Sequence, residues 1–182
     1  EVLHNIINNG IENSTFDDDM KLADITPIHK KDESTVKTHY RPVSGLSAGS
    51  KIFERTLGTQ MGSYMDTFFS PYLCGYRKGY SAQHALITLL EKWRVSLDNK
   101  GFGGAILMDL SKAFDTLNHD LLIAKLEAYG FDRNSLLLIK SYLSNRWQRT
   151  KINLSYSSWS ELLQGVPQLP LVLAHIMKWA TE

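Results

Sequence analysis

The chain has 182 residues, 43% of them hydrophobic, and a formal net charge of +1 at pH 7. It is long enough to bury a core as one domain or part of one, and its balanced charge singles out no class of partner. No apolar stretch reaches the roughly 18–20 residues that carry a helix across a bilayer, and no basic-then-apolar leader opens the chain. The lone Cys74 excludes an internal disulfide and a cysteine-based zinc site. It points to a reduced, intracellular setting, with nothing to separate nucleus from cytoplasm. Glu1 stands where Met would begin a native chain, which reads as a start that is not the native one.

Val2, Leu3, Ile6 and Ile7 fall at helical spacing, with Asn9-Gly10 as a stop. Leu22 to Ile28 reads as a strand and is followed by a polar loop through His39. Ile52, Phe53, Leu57, Met61, Tyr64, Met65 and Phe68 repeat every three to four residues, which predicts a helix from about Ser50 to Phe69 that Ser70-Pro71 ends. Gly58 and Gly62 weaken that helix by about 1 kcal/mol each relative to Ala. Ser81 caps a further helix whose apolar face is Ala85, Leu86, Leu89, Leu90, Trp93 and Leu97. Asp98 to Gly101 is a turn.

Ala105 to Leu110 is apolar on both faces, the mark of a central strand. Asn118 caps the next helix, Asp120 sits favourably in its first turn, and Gly130 ends it. Another helix starts at Asn134 or Ser135 and runs to about Leu143. Trp147 to Leu154 alternates as a strand should, and a short strand comes after it near Glu161–Leu163. Helices outnumber strands and the two are interspersed, which gives a mixed α+β class.

Charge is uneven along this order. No acidic residue lies between Arg133 and Ser160, whereas Arg133, Lys140, Arg146, Arg149 and Lys151 do. A second cluster runs from His29-Lys30-Lys31 through Lys37 to Arg41, and Arg77-Lys78 sit in a Gly-rich segment. Each alone reads equally well as a solvated face. Together, interleaved with Tyr40, Tyr76, Tyr80 and Trp147, they lean towards a polyanion partner.

The stretch AILMDLSKAFDTLNHDLL, residues 105–122, carries the chemistry. Asp109 closes an apolar strand, desolvated on one side and open on the other, a setting that suits a hard cation such as Mg²⁺. It reads equally as a cap for the turn at Ser111, and Asp115 as a cap or turn residue before the Asn118 helix. Phe114 is core on this reading. An aspartyl-phosphate phosphatase would need a second Asp two residues on; Ser111 stands there instead.

LMDLSKAFDTLNHDLL, together with YRPVSGLSAGSKIFER (40–55), CGYRKGYSAQHAL (74–86) and LLQGVPQ (162–168), resembles the reverse transcriptase domain of non-LTR retrotransposons. The four blocks occur in that family's order, over about Phe16 to Gln168. The resemblance implies a right-hand polymerase architecture with fingers over about 1–100 and the first part of a palm over about 101–168. It implies an RNA-directed DNA polymerase that copies an RNA template from a DNA primer with dNTPs and Mg²⁺.

Carried over position by position, Asp109 matches the first catalytic carboxylate, and the Leu110 carbonyl adds a backbone metal ligand. Phe114 matches the bulky residue that excludes a ribose 2′-hydroxyl. Lys31 and Arg41 look like the fingers cations that hold the triphosphate, with Lys30 competing for the role of Lys31. Gln164-Gly165 resembles the segment packed against nucleotide and template. Arg77 lies in a segment that lines the template path, and Lys78, Arg146, Arg149 and Lys151 extend the nucleic-acid set. Asp115 fits the family pattern without a metal role.

After Gln168 the chain departs from that pattern. Residues 169–182 read LPLVLAHIMKWATE, a divergent tail without the family's Gly-Ser, its apolar helix or the hairpin bearing an Asp-Asp pair, and with no thumb. Asp17-Asp18-Asp19 lacks apolar hairpin flanks and reads as a polar loop. Two expectations stand side by side: a polymerase fragment inactive as it stands, or a non-catalytic nucleic-acid-binding remnant.

Overall fold

The computed structural model describes residues 1–30, 32–75, 77–108 and 117–164. The elements within them are five α-helices, two short 3₁₀ turns and five strands, in the order α1 (Val2–Glu12), β1 (Leu22–His29), β2 (Tyr40–Leu46), α2 (Ala48–Met65), α3 (Ala82–Asp98), α4 (His119–Ala128), α5 (Arg133–Leu143), β3 (Arg146–Ile152), β4 (Ser155–Tyr156) and β5 (Ser160–Leu162). This is the mixed class that the interspersed periodicities imply.

Helix boundaries follow their caps. The Ser47 hydroxyl accepts from Ser50 N at 3.1 Å and starts α2 at Ala48, two residues before the expected start near Ser50. Asn118 accepts from Leu121 N at 3.0 Å to open α4. Asp132 accepts from Ser135 N at 3.3 Å, so α5 begins at Arg133, ahead of the Asn134 or Ser135 start that periodicity suggests. The triple-aspartate segment is a 3₁₀ turn, Asp18–Lys21, capped by Asp17, with Lys21 drawn into the interior and paired to Asp18 at 2.7 Å.

The sheet runs β2-β1-β3-β4, with β5 also against β3. β1 and β2 form an antiparallel ribbon, Ala23 opposite Leu46 at one end and His29 opposite Tyr40 at the other. β3 lies parallel to β1, with Asp24 opposite Arg149. Asn145, held at φ 55°, ends the α5 connection in the left-handed region that Asn tolerates and delivers the chain into β3.

The core is helical. Phe53, Met61 and Met65 of α2, Leu122 and Leu126 of α4, and Leu138, Ile139, Tyr142 and Leu143 of α5 bury together with Ile7 and Phe16. Phe16 packs edge-on against both Phe53 and Tyr142, with ring centroids at 4.9 and 5.0 Å; each such pair adds about 0.5–1.5 kcal/mol beyond area burial.

Two expectations fail here. Residues 105–108 form no strand, and Ile106, Leu107 and Met108 are 91%, 92% and 89% exposed. A central strand needs neighbours for its backbone groups, and no strand among the described residues flanks this one. The apolar face of α3 is likewise uncovered, with no residue of that helix buried. Asp109, Leu110, Phe114 and Asp115 lie outside the described residues.

Candidate nucleic-acid interface

Strand alternation divides the sheet into two faces. Ala23, Ser44, Leu46 and Arg146 are buried on the inner one. The outer one takes Asp24 and Ile28 from β1, Arg41 and Val43 from β2, Trp147, Arg149 and Lys151 from β3, and Tyr156 from β4, as the register requires.

Arg41 stands exposed on this outer face opposite Ile28. Arg149 is held in place: its Nε donates to Asp24 Oδ1 at 2.6 Å, and its guanidinium lies 4.1 Å from the Tyr156 ring centroid and 4.5 Å from that of Trp159. The bond to Asp24 raises the Arg149 pKa further above its ordinary value. Lys151 lies beside the same Tyr156 ring, at 5.5 Å.

Arg146, placed by sequence among the nucleic-acid contacts, is corrected by its position. It is 1% exposed on the inner face, and its Nη1 donates to the Tyr142 carbonyl at 2.8 Å. Its guanidinium lies over the Tyr142 ring, at 4.6 Å, and its Nε and Nη2 have no hydrogen-bond partner among the described residues. Sequence could not separate it from Arg149, because every second residue of a strand turns to the opposite face.

The counter-charge to Arg146 is Glu54, buried on α2, whose Oε1 accepts from the Tyr142 hydroxyl at 2.8 Å and from Ser50 at 3.4 Å. Burial raises the Glu54 pKa, against the lowering pull of the Tyr142 hydrogen bond and the Arg146 charge. Burial also raises Tyr142 above its ordinary value and lowers Arg146. Glu54 lies within the 40–55 block, which assigns it no role; the available signal was a charge on the apolar side of a helix.

Arg77 is committed to its own loop. Its Nε donates to Asp66 Oδ1 at 2.7 Å, an interaction that raises its pKa, and its guanidinium lies 4.5 Å from the Tyr80 ring. Lys78 beside it is exposed, as is Gln164 just past β5. Lys31, Asp109, Leu110, Phe114 and Gly165 lie outside the described residues. Among the described residues, no three His, Cys, Asp or Glu side chains converge as metal ligands, and no helix is long and apolar enough to cross a membrane.

A chain with a cation-bearing strand ribbon, an aromatic outer sheet face and a helical core matches, over residues 28–182, the family model described as reverse transcriptase (RNA-dependent DNA polymerase). It belongs to that family. The match opens at Ile28 and includes residues 169–182, the segment that reads as a divergent tail. Among its relatives is the "Probable RNA-directed DNA polymerase from transposon BS" of Drosophila melanogaster, 32% identical over 157 residues, or 84% of this chain and 17% of the relative. The corresponding protein of transposon X-element, from the same organism, is 28% identical over 81% of this chain and 16% of itself. The RNA-directed DNA polymerase from mobile element jockey is 26% identical over 90% of this chain and 18% of itself. The chain thus spans less than a fifth of the length of these relatives.

Proposed function

We propose that these residues are the fingers and first palm segment of an RNA-directed DNA polymerase, holding the template–primer and the incoming dNTP. The observation that carries the reading is the exposed Arg41 on the β1–β2 ribbon, sharing an outer sheet face with Arg149 and Lys151 in a chain of this family. Arg41, with Lys31, neutralises triphosphate oxygens; Lys78 and Lys151 contact backbone phosphates, an attraction blind to sequence and weakened by salt. Phe114 excludes a ribose by size, and Gln164-Gly165 packs beside the nucleotide.

Magnesium, when bound, supplies Lewis-acid charge neutralisation at the phosphates. The donors available for it here are the Asp109 carboxylate and the Leu110 carbonyl. One carboxylate does not fit a pair of ions. The 182 residues alone are therefore assigned binding and no incorporation step.

The test is twofold, on the purified chain. An RNA–DNA hybrid should bind with an affinity that falls steeply between low and moderate salt, and Arg41→Ala should weaken dNTP binding to the hybrid complex. Primer extension should be undetectable. Salt-independent affinity would sink the binding role, and Mg²⁺-dependent incorporation abolished by Asp109→Ala would overturn the inactive assignment.

A further inference from the structure

Arg149 differs from Arg41 and Lys78 in how fully the chain itself engages it. Its Nε donates to Asp24 Oδ1 at 2.6 Å, and its guanidinium carbon lies 4.1 Å from the Tyr156 ring centroid and 4.5 Å from that of Trp159. Arg41 and Lys78 are exposed, whereas Arg149 is half-buried. A cation held by three groups of its own chain has less charge to offer a phosphate and a firmer hold on those groups.

Tyr156 and Trp159 are three residues apart, so an unbroken strand would turn them to opposite faces. The pairings show how both reach one cation. Lys151 stands opposite Tyr156 and Gln148 opposite Ser160, so a step of three residues on β3 is matched by a step of four on the returning segment. The extra residue is a β-bulge, a feature that re-aims side chains, and it resets the alternation between β4 and β5. Little else fixes this register. β4 has two residues and β5 three; Ser155 to Glu161 are exposed and Leu162 is half-buried. A strand without a buried face is weakly held in register. Thr150 and Ser157 exchange two bonds of 2.9 Å before the bulge, and Arg149 reaches across it, from Tyr156 to Trp159. A one-residue slip would turn over every later side chain, Gln164 among them, two residues past Leu162.

We propose that Arg149 is a positioning residue and not a phosphate contact: by holding Tyr156 and Trp159 together it locks the register of the bulged return strand and so aims Gln164 at the nucleotide. The inference rests on the nucleotide-holding reading above and concerns the same site.

The test titrates the whole chain, bound to an RNA–DNA hybrid, with the dNTP complementary to the template. Arg149→Gln should lower dNTP affinity about fivefold, the scale of one lost hydrogen bond. It should also quicken amide hydrogen exchange over residues 155–162 and leave the salt slope of hybrid binding unchanged. Trp159→Leu, at an exposed ring, keeps the cation and should give a smaller loss of the same kind. In a Gln164→Ala background, Arg149→Gln should lower dNTP affinity no further. A salt slope shallower by about one, the mark of a lost phosphate contact, overturns the proposal, and so does unchanged exchange over residues 155–162. A second loss of the same size in the Gln164→Ala background overturns it too, since Arg149 would then act by another route. Absence of dNTP binding by the parent chain overturns the proposal and the nucleotide-holding reading together.

Discussion

The helix α3 and the helices of the core share one sequence signature and have opposite fates. Both carry apolar residues every three to four positions. In α4, Leu122 and Leu126 are 2% and 0% exposed; in α3, Leu86, Leu90 and Leu97 are 54%, 50% and 65% exposed. α3 is well formed, since the Ser81 backbone N–H donates to His84 Nδ1 at 3.1 Å and closes a capping box. It is tied to the segment at its C-terminal end as well: Ser96 Oγ donates to the Phe102 carbonyl at 2.9 Å, and a Cβ at Gly103 would meet the Trp93 ring at 2.7 Å. Periodicity and caps therefore specify a helix, and only a facing element turns its stripe into a core. α4 has α5 and α2 to face; α3, among the described residues, has no covering element.

The largest expected effect tests the charged centre of the buried region. Glu54→Ala removes the carboxylate that offsets Arg146 and accepts from Tyr142, and should cost about 3–5 kcal/mol, the usual consequence of stranding a buried charge. Urea unfolding followed by fluorescence measures it. A loss below about 1 kcal/mol would mean that the network is not buried as described.

The direct contrast comes next. Leu126→Ala should destabilise by about 2–5 kcal/mol as a cavity-forming core change, whereas Leu90→Ala in α3 should stay within about 0.5 kcal/mol. Equal losses in the same unfolding assay would show that α3 is covered after all.

The smallest effect is a pH dependence. Burial raises the Glu54 pKa above 4.5, its ordinary value. Between that value and the raised one the unfolded chain has released the proton and the folded chain has kept it. Stability contributed by Glu54 is thus fully present below the ordinary value and lost as pH rises through the raised one. Glu54→Gln, which keeps an acceptor for Tyr142, should remove this component. The difference in stability between variant and parent should grow in the variant's favour as pH rises from about 4.5; a flat difference would refute a Glu54 pKa raised by burial.

Much of the fold was legible from residue pattern. The α2, α4 and α5 cores, the β1 strand and the Asn118 cap all lay where spacing and cap chemistry put them. The 105–108 strand did not, because a strand's identity depends on neighbours that a one-dimensional pattern cannot supply. The same limit explains Arg146 and Arg149: three residues apart in a basic run, they part company only once β1 fixes which face of β3 is inside. The pairing of Glu54 with Tyr142 joins residues 88 apart, and no local signal spans that distance. Of the site, Arg41 stood out by its motif, while the aromatic bracing of Arg149 emerged only when the β3–β4 and β3–β5 pairings brought Tyr156 and Trp159 to it.

The parallel pairing of β1 with β3 has a consequence for how the chain is made. β2 ends at Leu46 and β3 begins at Arg146, so at about 5–20 residues per second of synthesis the β1–β2 ribbon waits roughly 5–20 s for its third strand. During that interval the free edge of β1 is a template for any passing strand. The helices between have time to collapse first, since their contacts are nearer in sequence and loop closure among them is faster. A ribosome that slows between residues 46 and 146 would lengthen the exposure, and yield in a cell-free translation would report it.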